Sequence, residues 1–234
     1  TPVQDEINNA TSGDTISIPA GTYSDTLTIN KALTISCSDN TDRIFTGTVS
    51  ITASNVTITN CRFNNTVSAN ADADDLTLSN NRFIQEIEDI SGDNPSLSNN
   101  TFDADVAISG INPTLSANTI SSSSTVTLSN TSNNIDNNIT NNTITGNIVD
   151  TGTSNDYETN TLNGLIDLDG ATTPTFNTSY AAKIDNKYYS SSNIINELST
   201  GTLDAKTIDL NSDLALTTIG TDITNSQIVC TNEG

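Results

Sequence analysis

The chain has 234 residues, 33% hydrophobic and 15% charged, and 28 acidic against 7 basic side chains give it a net charge of −21. That length suffices for one sizeable β domain, while the charge argues against nucleic acid, which needs a basic surface, and against anionic polysaccharides unless calcium bridges them. The absence of histidine removes a histidine-based triad, the common zinc sites and imidazole acid–base chemistry.

From the N-terminus, Val3 to Ala10 reads as a short capping helix. Ser12 to Ser36 then alternates, with Ile16, Ile18, Leu27, Ile29, Leu33 and Ile35 inward and Gly13 and Gly21 as turns. A nine-residue unit follows and recurs: NVTITNCRF (Asn55 to Phe63), DLTLSNNRF (Asp75 to Phe83), NPSLSNNTF (Asn94 to Phe102), NPTLSANTI (Asn112 to Ile120) and DNNITNNTI (Asp136 to Ile144). Its central aliphatics, Ile58, Leu78, Leu97, Leu115 and Ile139, are separated by 20, 19, 18 and 24 residues. A period of this size marks a solenoid.

Within each unit the alternation is that of a short strand. Leu76, Leu78, Leu97, Leu115 and Ile139 face inward, and the Thr and Ser between them face water. Phe63, Phe83, Phe102, Ile120, Ile144 and Leu162 form a second inward column after a bend. Asn55, Asp75, Asn94, Asn112 and Asp136 share one column position, and Asn81, Asn100, Asn118, Asn142 and Asn160 share another. Asn tolerates left-handed backbone and bonds its own turn. Identical amides stacked one strand apart also bond one another, which makes the second column an Asn ladder. Ile, Leu, Val and Phe total only 54 of 234 residues, close to a disordered composition. The repeat overrules that warning, because a narrow solenoid core needs few large side chains per coil.

These residues resemble the right-handed parallel β-helix proteins of the pectate-lyase-like superfamily, over about Val3 to Tyr180. The resemblance implies an all-β fold: a single parallel β-helix of about eight coils, ~40 Å long at ~4.8 Å per coil, with an N-terminal cap over its open end. Many such relatives are polysaccharide lyases or hydrolases, and the lyases pair calcium-binding Asp with a basic residue that abstracts a proton. The corresponding candidates here are Asp72, Asp74, Asp75, Glu86, Glu88 and Asp89 beside Arg62 and Arg82. Those arginines share a column continued by Thr101, Thr119, Thr143 and Thr161. The simpler reading is an outward strand face whose arginines pair with nearby carboxylates. No catalytic motif of the family is matched, so no catalytic residue and no resident cofactor is assigned; calcium is left open.

Cys37 and Cys61 follow Ile35 and Ile58, one coil apart, and Cys61 takes a ladder position. Adjacent coils satisfy the reach of a disulfide, so a Cys37–Cys61 bond is expected; two buried thiols are the alternative. Cys230 is left over, and an odd cysteine suggests an intermolecular bond or a reactive thiol, a buried thiol, or a pair with one of the other two. Later in the chain, Leu128 (TVTLSN) also fits the motif, which leaves Ser121 to Asn134 a looped coil or an extra strand. After Ala181 the pattern dissolves. Residues 1–180 form the β-helix with its cap, and residues 181–234, with alternating stretches at Thr207 to Leu210, Leu214 to Ile219 and Ile228 to Cys230, form a C-terminal cap or assembly segment.

No stretch resembles a transmembrane helix, and a chain that starts at Thr without any Met reads as a mature form after leader removal. Asn-x-Ser/Thr sequons occur at Asn9, Asn55, Asn64, Asn99, Asn130, Asn138, Asn141 and Asn177. In so Asn- and Thr-rich a chain many arise by chance, and a few exposed ones suit glycosylation if the protein is secreted, whereas Asn138 and Asn141, at ladder-side positions, are expected to be buried and unmodified. Tyr157, Tyr180, Tyr188 and Tyr189 cluster late in the chain, as a core cap or a sugar platform. The acidic surface itself fits solubility of a strand-rich protein. Together these features favour a non-catalytic extracellular structural protein that self-assembles into a cell-surface layer, sheath or fibre. Its style resembles the Asn/Thr-rich repeat proteins of archaeal surfaces. The alternative is a carbohydrate-active β-helix: a lyase, a hydrolase or a glycan-binding adhesin.

Overall fold

The computed structural model describes residues 2–131, 137–200, 207–211 and 227–230. Among the described residues three sheets run the length of a solenoid, parallel throughout its coils, and the third continues into antiparallel strands at the C-terminal end. The first has nine strands, from Thr15–Ile18 to Thr175–Asn177; the second has eight, from Gly21–Tyr23 to Thr161–Leu162; the third begins at Leu27–Ile29 and has twelve. One strand from each sheet makes a coil, so there are eight complete coils and the first strand of a ninth. Every coil is in register with the next at the repeat positions: Ile58 beside Leu78, Leu78 beside Leu97, Leu97 beside Leu115 and Leu115 beside Ile139.

Short strands with sharp corners follow from the residues. Inward Ile, Leu, Val and Phe side chains of the inner coils are essentially fully buried, whereas the Thr and Ser between them on the first sheet are half-buried beside their outward neighbours in the inner coils and exposed on the two end strands. Both corners of the first sheet turn on a single left-handed residue. Before the strand stand Asn55, Asp75, Asn94, Asn112, Ser154 and Thr173; after it stand Asn60, Asn80, Asn99, Ala117, Asn141 and Thr159, all with φ between 52° and 60°. Asn is the residue that bears this conformation best after Gly. Asp136, the expected member of the first column, lies outside the described residues. The expected left-handed Asx column is therefore present at Asn55, Asp75, Asn94 and Asn112, and a second column lies one residue before the ladder.

On the second sheet the inward column is longer than its Phe repeats suggest. Tyr23, Phe45, Phe63, Phe83 and Phe102 stack in sequence with ring centroids 5.1–5.6 Å apart, an offset-stacking distance. Ile120, Ile144 and a half-buried Leu162 continue it. Gly21 opens the strand Gly21–Tyr23 rather than only punctuating a turn. Thr125–Leu128 is the ordinary third-sheet strand of the sixth coil, paired with Val106–Ile108 and Asn147–Asp150. It is not an extra strand: the coil is a longer, looped one, with two added residues before this strand, in the turn at Ser121–Ser124, and four after it.

The N-terminal end is sealed. Helix α1, Val3–Asn9, drops Val3 and Ile7 onto the core. Lys31 Nζ donates to the carbonyls of Ile7, Asn8 and Ala10 at its C-terminal end, where a cation suits both the helix dipole and the unpaired carbonyls. The Gln4 amide imitates a strand: Thr28 N–H donates to its Oε1 (2.7 Å), and its Nε2 donates to Thr28 O (3.2 Å).

The C-terminal end is built differently. Lys187–Tyr189 adds antiparallel to Leu165–Asp167 and folds back onto Ala182–Ile184. Thr207–Leu210 and Gln227–Cys230 extend the same sheet. Helix α2, Ser191–Thr200, was not legible in the sequence. Ser190 Oγ accepts the Asn193 N–H at its start, and Ile194 and Leu198, one turn apart, pack with Ala182, Ile184, Tyr189 and Ile208 in a second, small core. Leu214 to Ile219 lies outside the described residues.

Candidate functional site

The ladder is the most ordered polar feature of the molecule. Asn81, Asn100, Asn118, Asn142 and Asn160 are buried at the corner between the first and second sheets. Each side chain works backwards on the coil before it. Asn100 Oδ1 accepts the Asn81 N–H (2.9 Å), and Asn100 Nδ2 donates to Leu78 O (2.8 Å). The same pair of bonds recurs at Asn118, Asn142 and Asn160. Nδ2 also donates onward to the next amide, Asn100 to Asn118 to Asn142 to Asn160, at 3.0–3.1 Å, and the column ends on Thr178 Oγ1. At the other end, Cys61 N–H donates to Asn81 Oδ1, and Cys61 is disulfide-bonded to Cys37 with Cα atoms 5.2 Å apart. The staple thus caps the ladder.

Arg62 and Arg82 lie in register above Thr101, Thr119, Thr143 and Thr161. The acidic runs are not what Arg82 meets. Its Nε donates to Asp103 of the following coil at 2.8 Å, and Arg62 Nε donates to Asn64 Oδ1. Partial burial works against ionisation of Asp103, but the Ser121 hydroxyl and the Arg82 guanidinium outweigh it and hold the carboxyl below its ordinary range. With Arg82 partly exposed, this is a surface pair of small energetic weight. Among the described residues, no group of three or more Asp, Glu, Cys or His side chains is placed to share a metal ion.

At the C-terminal end, Tyr157, Phe176 and Tyr188 close the core as a stack, with Phe176 and Tyr188 centroids 3.6 Å apart and Tyr180 set edge-on to both. Tyr189 belongs to the second core, and burial pushes its hydroxyl up to about 12. A groove of about 500 Å³ opens here, lined by Thr159, Phe176, Asn177, Ser179, Tyr180 and Asn211. Lys187 is held by Asp167 (2.7 Å) and Asp169 (3.2 Å). Cys230 ends the strand Gln227–Cys230, which has one neighbour, Thr207–Leu210, among the described residues.

The sequons divide by burial. Asn9, Asn55, Asn99, Asn141 and Asn177 are exposed, Asn64 and Asn138 half-buried, and Asn130 buried. Asn141 corrects its expected burial: it is the left-handed residue that precedes the ladder, so its side chain points away from the corner that Asn142 fills.

A second buried polar cluster was missed in the sequence. Asp150 is fully buried and accepts from Gly152 N–H (2.7 Å), Asn155 Nδ2 (2.8 Å) and the Tyr157 hydroxyl (2.9 Å). Burial raises its pKa despite those three donors, and burial beside Asp150 raises that of Tyr157. The alternation of Asn147–Asp150, which turns Asp150 inward, was the available signal. Comparison with protein-family models, curated proteins and solved structures finds no match.

Proposed function

We propose that this chain is a non-catalytic, extracellular structural subunit that assembles with copies of itself into a surface layer, sheath or fibre, and that it is a right-handed β-helix of the pectate-lyase-like kind used at archaeal surfaces. The observation that carries this reading is the inequality of the two ends. The N-terminal edge is closed by α1, Lys31 and the strand-mimicking Gln4, a device that discourages edge-to-edge addition. The C-terminal end instead extends the third sheet to Gln227–Cys230, whose outer side meets no further strand among the described residues, and an edge strand is the usual acceptor for a neighbour's strand. A disulfide within the first coils fits an oxidising compartment. No helix among the described residues is long and apolar enough to cross a membrane. Cys230 is the candidate intermolecular thiol.

Electron microscopy of the protein with and without reductant tests the proposal. Ordered rings, tubes or fibres that loosen on reduction are expected; dispersed single rods in both conditions would overturn it. The groove beside Phe176 and Tyr180 favours one second reading, a glycan-binding adhesin, because aromatic rings flanked by amides and hydroxyls suit sugars. Glycan-array binding lost in Tyr180→Ala would support that reading.

A further inference from the structure

The two buried Asn systems differ in one respect. In the ladder, Asn100, Asn118 and Asn142 each have both amide ends bonded. Inside the seventh and eighth coils, Asn137 and Asn155 stand in register on adjacent first-sheet strands at 0% and 1% exposure, yet neither Oδ1 has a hydrogen-bond partner. Their Nδ2 groups are committed: Asn137 donates to Thr153 O and Ser154 O, and Asn155 donates to Asp150 Oδ1 and Asn130 Oδ1. Turning either amide over would face oxygen with oxygen, so the orphaned carbonyls are a property of the site. Asn130, also fully buried, donates to the same Thr153 O as Asn137. The four side chains Asn130, Asn137, Asp150 and Asn155 therefore converge on the Gly152–Ser154 turn. Gly152 is required there, because a Cβ would overlap Asn130 Oδ1.

Among the described side chains of this cluster the uncommitted atoms, Asn137 Oδ1 and Asn155 Oδ1, are oxygens, and the charged group is the Asp150 carboxylate, which has no Lys or Arg partner among the described ion pairs. We propose that this buried cluster is a cation site, in which Asp150 and the Oδ1 atoms of Asn137 and Asn155 bind a small hard cation, Ca²⁺ by preference. Carboxylate and amide oxygens are the donors hard cations take, and a cation would satisfy the orphaned carbonyls and offset the buried charge together. The site is internal, so it would bind the seventh and eighth coils to each other rather than present metal to a substrate.

The chain has no Trp, so terbium luminescence excited through tyrosine gives a direct reading, and Tyr157 lies against Asp150. The protein is dialysed to equilibrium against Tb³⁺, and Ca²⁺ is then titrated in. A sensitised emission displaced by Ca²⁺ is expected. In Asp150→Asn the affinity falls about tenfold or more, since ligand charge sets calcium affinity. In Tyr157→Phe the emission falls while metal bound per chain, measured by elemental analysis, is unchanged. Circular dichroism and the intact disulfide check folding, and Asn137→Ala supplies a second variant that keeps the carboxylate. The proposal is overturned by emission that survives Asp150→Asn with undiminished affinity, which would place the metal on the acidic surface. It is overturned equally by the absence of any Ca²⁺-displaced emission, or by a crystal structure grown in Ca²⁺ with only water against the two Oδ1 atoms.

Discussion

Replacing Asn118 by Ala removes the middle rung of the ladder, and the cost follows from four bonds. Asn118 Nδ2 donates to Leu97 O and Asn142 Oδ1, and its Oδ1 accepts from Asn100 N–H and Asn100 Nδ2. After the change, Asn100 Nδ2 still reaches Leu78 O, and Asn142 Oδ1 still accepts the Asn118 N–H. The Asn100 N–H is left buried with nothing to meet. One orphaned donor costs about 1–3 kcal/mol, and the three remaining bonds contribute about 0.5–1.5 kcal/mol each. Allowing for partial relaxation, the loss should be about 3–5 kcal/mol, a large share of the ~5–15 kcal/mol that holds a typical domain. Urea titration followed by circular dichroism measures it as a fall in midpoint at unchanged slope. Asn118→Asp is the informative companion. It keeps the acceptor for Asn100 but turns an ionised oxygen toward Leu97 O and Asn142 Oδ1, so it should be at least as damaging at neutral pH and partly recover in acid. A loss below about 1 kcal/mol in Asn118→Ala would refute the idea that the ladder holds this corner.

The other expectations are smaller or more local. Ala117→Asn, at the exposed left-handed position filled by Asn in most other coils, should raise the urea-unfolding free energy by up to about 1 kcal/mol, because Ala is strained there. Cys37→Ser with Cys61→Ser opens a link across 24 residues of sequence and should cost about 3–4 kcal/mol in the same titration. Gly110→Ala would drive a Cβ into Gly92 O of the coil above and should lower the thermal midpoint clearly, while Ala at exposed, uncrowded Gly13 tests only its φ of 96°. For pH, Asp150 has a folded pKa raised above 3.8 by burial. Its contribution is therefore full below about pH 3.8 and is lost as pH rises through the folded value. The stability difference between wild type and Asp150→Asn should fall across that window and then level off; a difference that grows with pH there would contradict the assignment.

The parts of this fold that could be read in the chain are those where one residue type recurs at a fixed spacing. The inward aliphatics, the Phe column, the ladder and the Cys37–Cys61 pair all satisfy that condition. The third sheet was harder, because its strands lie outside the nine-residue unit and the turns leading to them vary; Leu128 was ambiguous for that reason. Residues 60, 80, 99 and 141 went unnoticed beside the ladder because they too are Asn, and only the backbone separates a left-handed corner from a buried rung. Helix α2 rests on just two apolar contacts, Ile194 and Leu198, too few to set a helical period. The Asp150 cluster was hidden because polar side chains there replace core residues, which a hydrophobic pattern reads as decay of the repeat.

The ladder also has a direction in time. Because Asn100, Asn118, Asn142 and Asn160 each bond the backbone of the preceding coil, the ladder closes the corner of a coil from the one that follows it. A chain that folds as it emerges, N-terminus first, begins on an end already sealed by α1 and the disulfide. It then advances like a ratchet, each new amide securing the last turn laid down, with a single unsecured corner at the growing tip.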